Sequence, residues 1–199
     1  MRQITIAEKT DEISYERIHQ VLRKAHQVNK GSGFSMATAD FSGEQIRQRI
    51  GSDGKCWVAL DGDKVVGTLS IRMLKRNTWY AKGKVPDYML AGVLPDYQGM
   101  HINSMLAETA FKYCWKMGYP LMELDTAEQN QHAIEVYRHQ GFHLVGYKAT
   151  KNADHYSVVM AKWLGEQPYS ETYCRIRYEL KKLYIRIRYQ VGGAKRFRI

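Results

Sequence analysis

No run in this chain approaches the roughly 18 consecutive apolar residues that a membrane-spanning helix needs, so no spanning segment is expected. The start, Met1-Arg2-Gln3-Ile4-Thr5-Ile6, enters an alternating strand-like pattern without the apolar core of a signal peptide. Cysteine is scarce: Cys56, Cys114 and Cys174 are odd in number, lack metal-ligand spacing and sit inside apolar segments. That set argues against a disulfide framework or a metal site and points to reduced packing thiols in a cytoplasmic protein. Internal repeats and low-complexity linkers are missing too. A length of 199 residues suffices for one sizeable core but hardly for two.

Acidic residues are the other shortage. The chain holds 30 Lys/Arg against 20 Asp/Glu, a net charge of +10. Residues 166–199 carry nine basic and three acidic side chains, a net of +6, which leaves +4 over residues 1–165. The body is near balance, so overall basicity says little about what the domain binds. A hydrophobic fraction of 44% with 25% charged residues is ordinary for a globular domain and argues against a disordered chain.

Periodicity supplies the element order. Residues 2–7 read as a strand. Ile13, Ile18, Val21, Leu22 and Ala25 follow at helical spacing, a pattern broken at Gly31-Ser32-Gly33. Ser42 and Gln45 have the spacing of a capping box, opening a helix through Ile46 and Ile50 that ends at Gly51. Cys56–Leu60 and Lys64–Met73 read as strands around the hairpin signal Asp61-Gly62-Asp63. A polar connection is expected over 75–86, then a strand at Tyr88–Leu94 stopped by Pro95. Ile102–Met117 has a helical period, Leu121–Leu124 a strand pattern, and Gln131–Gln140 a helical one. Phe142–Lys148 and Tyr156–Trp163 close the order as strands. The alternation predicts an α/β domain over residues 1–165, a mixed, mostly antiparallel central sheet flanked by helices.

Two blocks carry functional information. The first runs from Val93-Leu94-Pro95 through Gln98-Gly99-Met100-His101-Ile102-Asn103-Ser104, a strand end, a loop and a helix start. A helix start presents unpaired N–H groups and partial positive charge, which suits phosphate. The second is Asn130 to Phe142, where Ala133 and Tyr137 share a helix face one turn beyond Asn130 and Gly141 ends the helix. Together the blocks resemble the cofactor motifs of the GNAT superfamily of acetyl-CoA-dependent N-acetyltransferases. The first resembles its pyrophosphate loop and the second its Asn-x-x-Ala-x-x-x-Tyr-x-x-x-Gly-Phe helix. Trp57 to Gly67 also resembles that family's second and third strands. One departure stands out: His101 and Asn103 occupy loop positions that the family keeps small so that backbone can approach the phosphates. His101 brings a donor to that place, and Asn103 is expected to cap the helix start.

The resemblance implies an N-acetyltransferase in which acetyl-CoA and a primary amine bind together and the amine attacks the thioester directly, with no metal. It implies that backbone groups of Val93 and Leu94 hold the acetyl carbonyl and the pantetheine arm. Amides of Gln98, Gly99, Met100, His101, Ile102, Asn103 and Ser104 would cradle the pyrophosphate, Asn130 would contact the arm, and Tyr137 would protonate the departing thiolate. The base stays open among Asp87, Asp125, Glu128 and His132, each read as a solvated surface group. The family's acceptor-shaping segment corresponds to Gln27–Phe41, polar enough for a sugar, a small metabolite amine or a peptide N-terminus. The altered loop also fits a second reading, a GNAT-fold binding or regulatory module with a weakened CoA site.

Residues 166–199 form a basic extension. From Tyr173, the residues Ile176, Leu180, Leu183, Tyr184, Ile187 and Val191 recur at helical spacing, while Tyr184–Val191 also alternates as a strand would. The favoured expectation is a packed or homodimer-forming extension with a solvated basic face. The alternatives are a helix lying on the anionic inner face of a membrane and, with least support, an adaptor for nucleic acid or another polyanion.

Overall fold

The apolar periodicity folds into one seven-stranded sheet with helices on both faces. The computed structural model describes residues 3–27, 41–149 and 155–191. Strand β1 spans Ile4–Glu8, helix α1 Tyr15–Gln27, α2 Gly43–Ile50, β2 Lys55–Asp61, β3 Lys64–Asn77 and β4 Lys82–Val93. Helix α3 then spans Ile102–Lys116, β5 Leu121–Ala127, α4 Gln131–His139, β6 His143–Ala149, β7 Tyr156–Trp163 and α5 Glu171–Val191. The strand order is β1-β2-β3-β4-β5-β7-β6, and among the described residues only β4 and β5 pair in parallel. The acceptor-shaping segment lies almost wholly outside the described residues.

Local chemistry sets several boundaries where the sequence places them. Ser42 accepts from the Gln45 amide at 3.3 Å and Gln45 Oε1 from the Ser42 amide at 2.8 Å, so the capping box is complete. Two glycines let helices close on the sheet. A Cβ at Gly67 would stand 3.0 Å from Ile102 of α3, and one at Gly92 would stand 3.0 Å from Ala25 of α1. Gly92 pairs with Thr68, the neighbour of Gly67, and side chains alternate across a strand. Helices α1 and α3 therefore cover opposite faces. Ile18 and Leu22 of α1 and Ile102 and Leu106 of α3 are fully buried against Leu69, Ile71 and Val66.

The structure corrects the expected connection over 75–86. Strands β3 and β4 continue in register through Leu74↔Val85 and Arg76↔Gly83 to Asn77↔Lys82, leaving a turn of only Thr78–Ala81. The polar residues there are strand residues, one of which, Arg76, reaches the buried Glu123. The hairpin tip is held from outside the first core. Trp79 Nε1 donates to the Val145 carbonyl at 3.1 Å, and its ring meets Tyr169 at 5.1 Å and Tyr173 at 5.4 Å.

The C-terminal extension packs on this arm and on β6. Cys174 is buried in a second apolar cluster with Ala81, Val85, Leu121, Val145, Ala161 and Trp163. Tyr178 of α5 meets Tyr147 of β6 at 6.1 Å. Residues 184–191 are helical, which removes the strand alternative. Truncating Trp79 should be costly because it joins three elements. Trp79→Ala is expected to lower unfolding free energy by about 3 kcal/mol in urea denaturation, at the low end for a tryptophan because the ring is half-buried.

Candidate functional site

The one parallel pairing opens the candidate cleft. Among the described residues β4 and β5 are registered at a single pair, Asp87↔Glu123, so their C-terminal ends diverge beyond it. A bulge in β4 enlarges the gap: Thr68 opposes Gly92 and Ser70 opposes Met89, one residue more on β4 than on β3. Within the bulge, buried Leu90 has φ 52, a left-handed conformation that packing must impose on a non-glycine residue. The cleft has a volume of about 240 Å³. Its walls are Tyr88–Ala91 of β4, Asp125 and Thr126 of β5, and Asn130, His132, Ala133 and Tyr137 at α4. His26, Arg49, Arg72 and Asp87 complete them.

Helix α4 brings Asn130 and Tyr137 to one wall. Asn130 Oδ1 accepts from the Ala133 amide at 3.2 Å, which caps the helix and fixes the side chain. The Tyr137 ring meets Tyr88 at 5.7 Å and Phe142 at 6.0 Å, both edge-on. Among the described residues its hydroxyl has no protein hydrogen-bond partner. Burial, then the charge of Asp125, pushes the phenol up to about 12, so it holds its proton at neutral pH.

Asp87 is not the solvated group the sequence suggests. It is 3% exposed, and its Oδ2 accepts from Arg72 Nε at 2.8 Å. Burial lifts its carboxyl to about 6 despite Arg72, with Asp125 adding to the rise. The other three candidates differ. Asp125 is bound by Lys148 at 2.8 Å, His132 is exposed, and Glu128 is drawn outward to Lys182 at 2.6 Å and Arg186 at 3.0 Å. Burial lowers the His26 imidazole and favours its neutral form. Arg49 packs over Phe41 at 5.2 Å. Sequence reasoning missed Arg49, Arg72 and Tyr88, since arginines and an aromatic in amphipathic segments carry no signal without the fold.

The loop block lies beside the cleft. Val93 pairs with Gly67, and the Leu94 amide donates to Val66 O at 2.9 Å. That N–H belongs to the sheet and is not free for an acetyl oxygen. A short 3-10 turn, Pro95–Tyr97, follows, tied down by the Tyr97 hydroxyl donating to Asp61 Oδ2 at 2.8 Å. Gln98 and Gly99 are exposed, and Gly99 has φ 79 with no atom within 4 Å of a Cβ built there. The N-cap of α3 is His101, with φ 57 and no side-chain cap bond. Asn103 is therefore not the cap. Its Oδ1 accepts from the Tyr88 hydroxyl at 3.3 Å, which links the loop to the Tyr137 wall. Ile102 is buried under the sheet, whereas Ser104 is exposed and Met100 half-buried. The start of α3 thus has no side chain folded over its amides, the arrangement a phosphate needs. Among the described residues no cluster of His, Cys, Asp or Glu could hold a metal ion.

Two measurements test this geometry. Carbon NMR of the Asp87 carboxyl should show a titration near 6, and Arg72→Gln should move it upward by at least about one unit, because the opposing charge is lost. With its folded value above the ordinary 3.8, Asp87 contributes stability that is fully present below about pH 4. That contribution is lost as pH rises through about 6. His101→Gly should raise unfolding free energy by about 1 kcal/mol, since glycine adopts the left-handed N-cap without strain. A loss of stability in urea denaturation would show that the imidazole has a structural role.

Residues 16–142 match the acetyltransferase (GNAT) family. No curated protein matches the chain in sequence. Among solved structures it is similar to the PaiA N-acetyltransferase of Thermoplasma acidophilum in complex with coenzyme A. Identity there is 17% and the TM-score 0.62, covering 81% of this chain and 99% of that one. It is similar to the ribosomal-protein-S18-alanine N-acetyltransferase of Escherichia coli, with 17% identity, a TM-score of 0.60, and 84% and 100% of the two chains covered. A GNAT-family acetyltransferase of Staphylococcus aureus Mu50 shares 17% identity at a TM-score of 0.63, with 82% and 100% covered. What these structures share with the chain is the fold.

Proposed function

The chain belongs to the acetyltransferase (GNAT) family, and from that premise we propose that it transfers an acetyl group from acetyl-CoA to the primary amine of a small molecule, sugar or peptide. The observation that carries this reading is the conjunction of the diverging β4/β5 cleft with uncovered helix amides at Gly99–Ser104 on one side and an unpaired phenol, Tyr137, on the other. Acetyl-CoA, when bound, supplies the activated acetyl thioester. The residues fit such a donor. The α3 amides suit its pyrophosphate, Asn130 its arm, and the β4 bulge its acyl end. The uncovered loop also favours an enzyme over a binding module, because neither His101 nor Asn103 folds back on the amides.

The chain's own groups then do three things. Positioning comes first, because holding amine and thioester in contact replaces an unfavourable encounter. Asp87 takes a proton from the incoming ammonium, directly or through water. A carboxyl near 6 is mostly ionised at neutral pH yet more basic than an ordinary aspartate. Tyr137 donates its proton to the sulfur as the carbon–sulfur bond breaks. From a phenol near 12 to a thiol near 8.5, complete transfer is uphill by about 5 kcal/mol. A turnover of about 10 per second corresponds to a barrier of about 16 kcal/mol, which accommodates that step.

The test combines binding and turnover. Acetyl-CoA at one hundred times its Kd should stabilise the protein by about 2.7 kcal/mol in thermal denaturation. Tyr137→Phe should keep that stabilisation and the melting temperature, while kcat on a responsive amine falls about 10²-fold. The absence of a thermal shift at millimolar acetyl-CoA would overturn the donor assignment. Near-normal turnover in Tyr137→Phe would overturn the role of the phenol alone.

A further inference from the structure

Helix α5 has two apolar faces, and the fold uses only one. Cys174 and Tyr178 are buried, while Lys182 and Arg186 on the same side reach Glu128. On the opposite side Ile176, Leu180, Leu183, Tyr184 and Ile187 are 50% to 59% exposed. At about 100° per residue these five fall within an arc of about 100°. One border of that stripe carries Arg177, Lys181 and Arg188, all exposed, with no acidic residue among them. Beyond the helix the sequence adds Lys195, Arg196 and Arg198, interleaved with Phe197 and Ile199.

We propose that this face of α5 seats the enzyme on an anionic lipid bilayer, the helix lying in the plane of the headgroups. The helix has 21 residues but too many charges to cross a membrane, and no helix among the described residues is long and apolar enough to do so. An apolar stripe bordered on one side by cations fits the boundary between acyl chains and negative headgroups, where both contacts are made together. The stripe is also broader than the two-position seam by which a pair of helices joins. Nucleic acid would use the cations but leave five large apolar side chains in water. The buried face already anchors α5 to β6 and to Glu128, so the exposed face presents a fixed surface.

The full-length protein would be co-sedimented with phosphatidylcholine vesicles, with and without phosphatidylglycerol, at low and high salt. Binding is expected only to the anionic vesicles, and weaker by at least about tenfold at high salt. Leu180→Asp with Leu183→Asp should reduce partitioning by at least about tenfold. Lys181→Glu with Arg188→Glu should reduce it by about fivefold per residue. Melting temperatures and acetyl-CoA thermal shifts report on folding. Should the aspartate pair unfold the chain, the charge pair, on exposed positions, still decides. Failure of the full-length protein to bind anionic vesicles overturns the proposal, as does binding that survives both pairs of substitutions. A lipid-free dimer by light scattering that the aspartate pair dissolves would make the stripe a seam between copies instead.

Discussion

Two carboxylates meet at the single parallel rung of the sheet, and the molecule is arranged around keeping them paired. Asp87 and Glu123 are 3% and 1% exposed. A buried carboxylate without a partner costs several kcal/mol, so each needs a cation from a neighbouring strand. Strand β3 supplies both, Arg72 to Asp87 and Arg76 to Glu123. The two arginines are four residues apart and so lie on one side of the strand. Glu123 also accepts from the Tyr80 hydroxyl at 3.1 Å, near the hairpin tip. The long β3–β4 arm therefore closes over the sheet at the rung beyond which β4 and β5 part. The candidate cleft and the structural charge pairing share one place, and Asp87 belongs to both.

The same logic explains how the extension joins the domain. Trp79 at the arm's tip meets Tyr169 and Tyr173, and Arg177 stands over its ring at 5.2 Å. At the other end of the contact, Glu128 receives Lys182, Arg186 and the Tyr147 hydroxyl. Glu128 lies two residues before Asn130, the cap of α4. The extension thus braces both the hairpin arm and the segment that orients the Tyr137 helix.

Much of the fold was legible in the sequence because it rests on local rules. The capping box at Ser42 and Gln45, the hairpin at Gly62 and the periods of α3 and α4 each need only a few neighbouring residues. The arm at 74–85 was hidden for a physical reason. Arg76, Lys82 and Lys84 read as loop because strand patterns are recognised by apolar alternation, and here Arg76 has a buried carboxylate in place of an apolar partner while Lys82 and Lys84 are exposed. The cleft's contents were legible where one motif sits on one helix, as with Asn130 and Tyr137. Asp87, Arg72 and Tyr88 come together only through strand register, and the Leu94 amide is taken by a pairing that no spacing reveals. Asn103 lay close to the expected helix start, but the chain enters α3 through His101, two positions earlier.

Tyr88 gives the site a property that no single wall has. Its hydroxyl is bonded to Asn103 in the loop, and its ring lies against Tyr137 in the cleft. Whatever orders the loop therefore bears, through one rigid side chain, on the ring of Tyr137. Contacts made far from the reacting bond would be felt at that bond, and part of their free energy would go into alignment rather than affinity. On the proposed role of Tyr137, a thioester without its nucleotide end would be met by an acid that is less well aimed. On the proposed reaction, the chain would then discriminate among donors by rate even where it binds them alike.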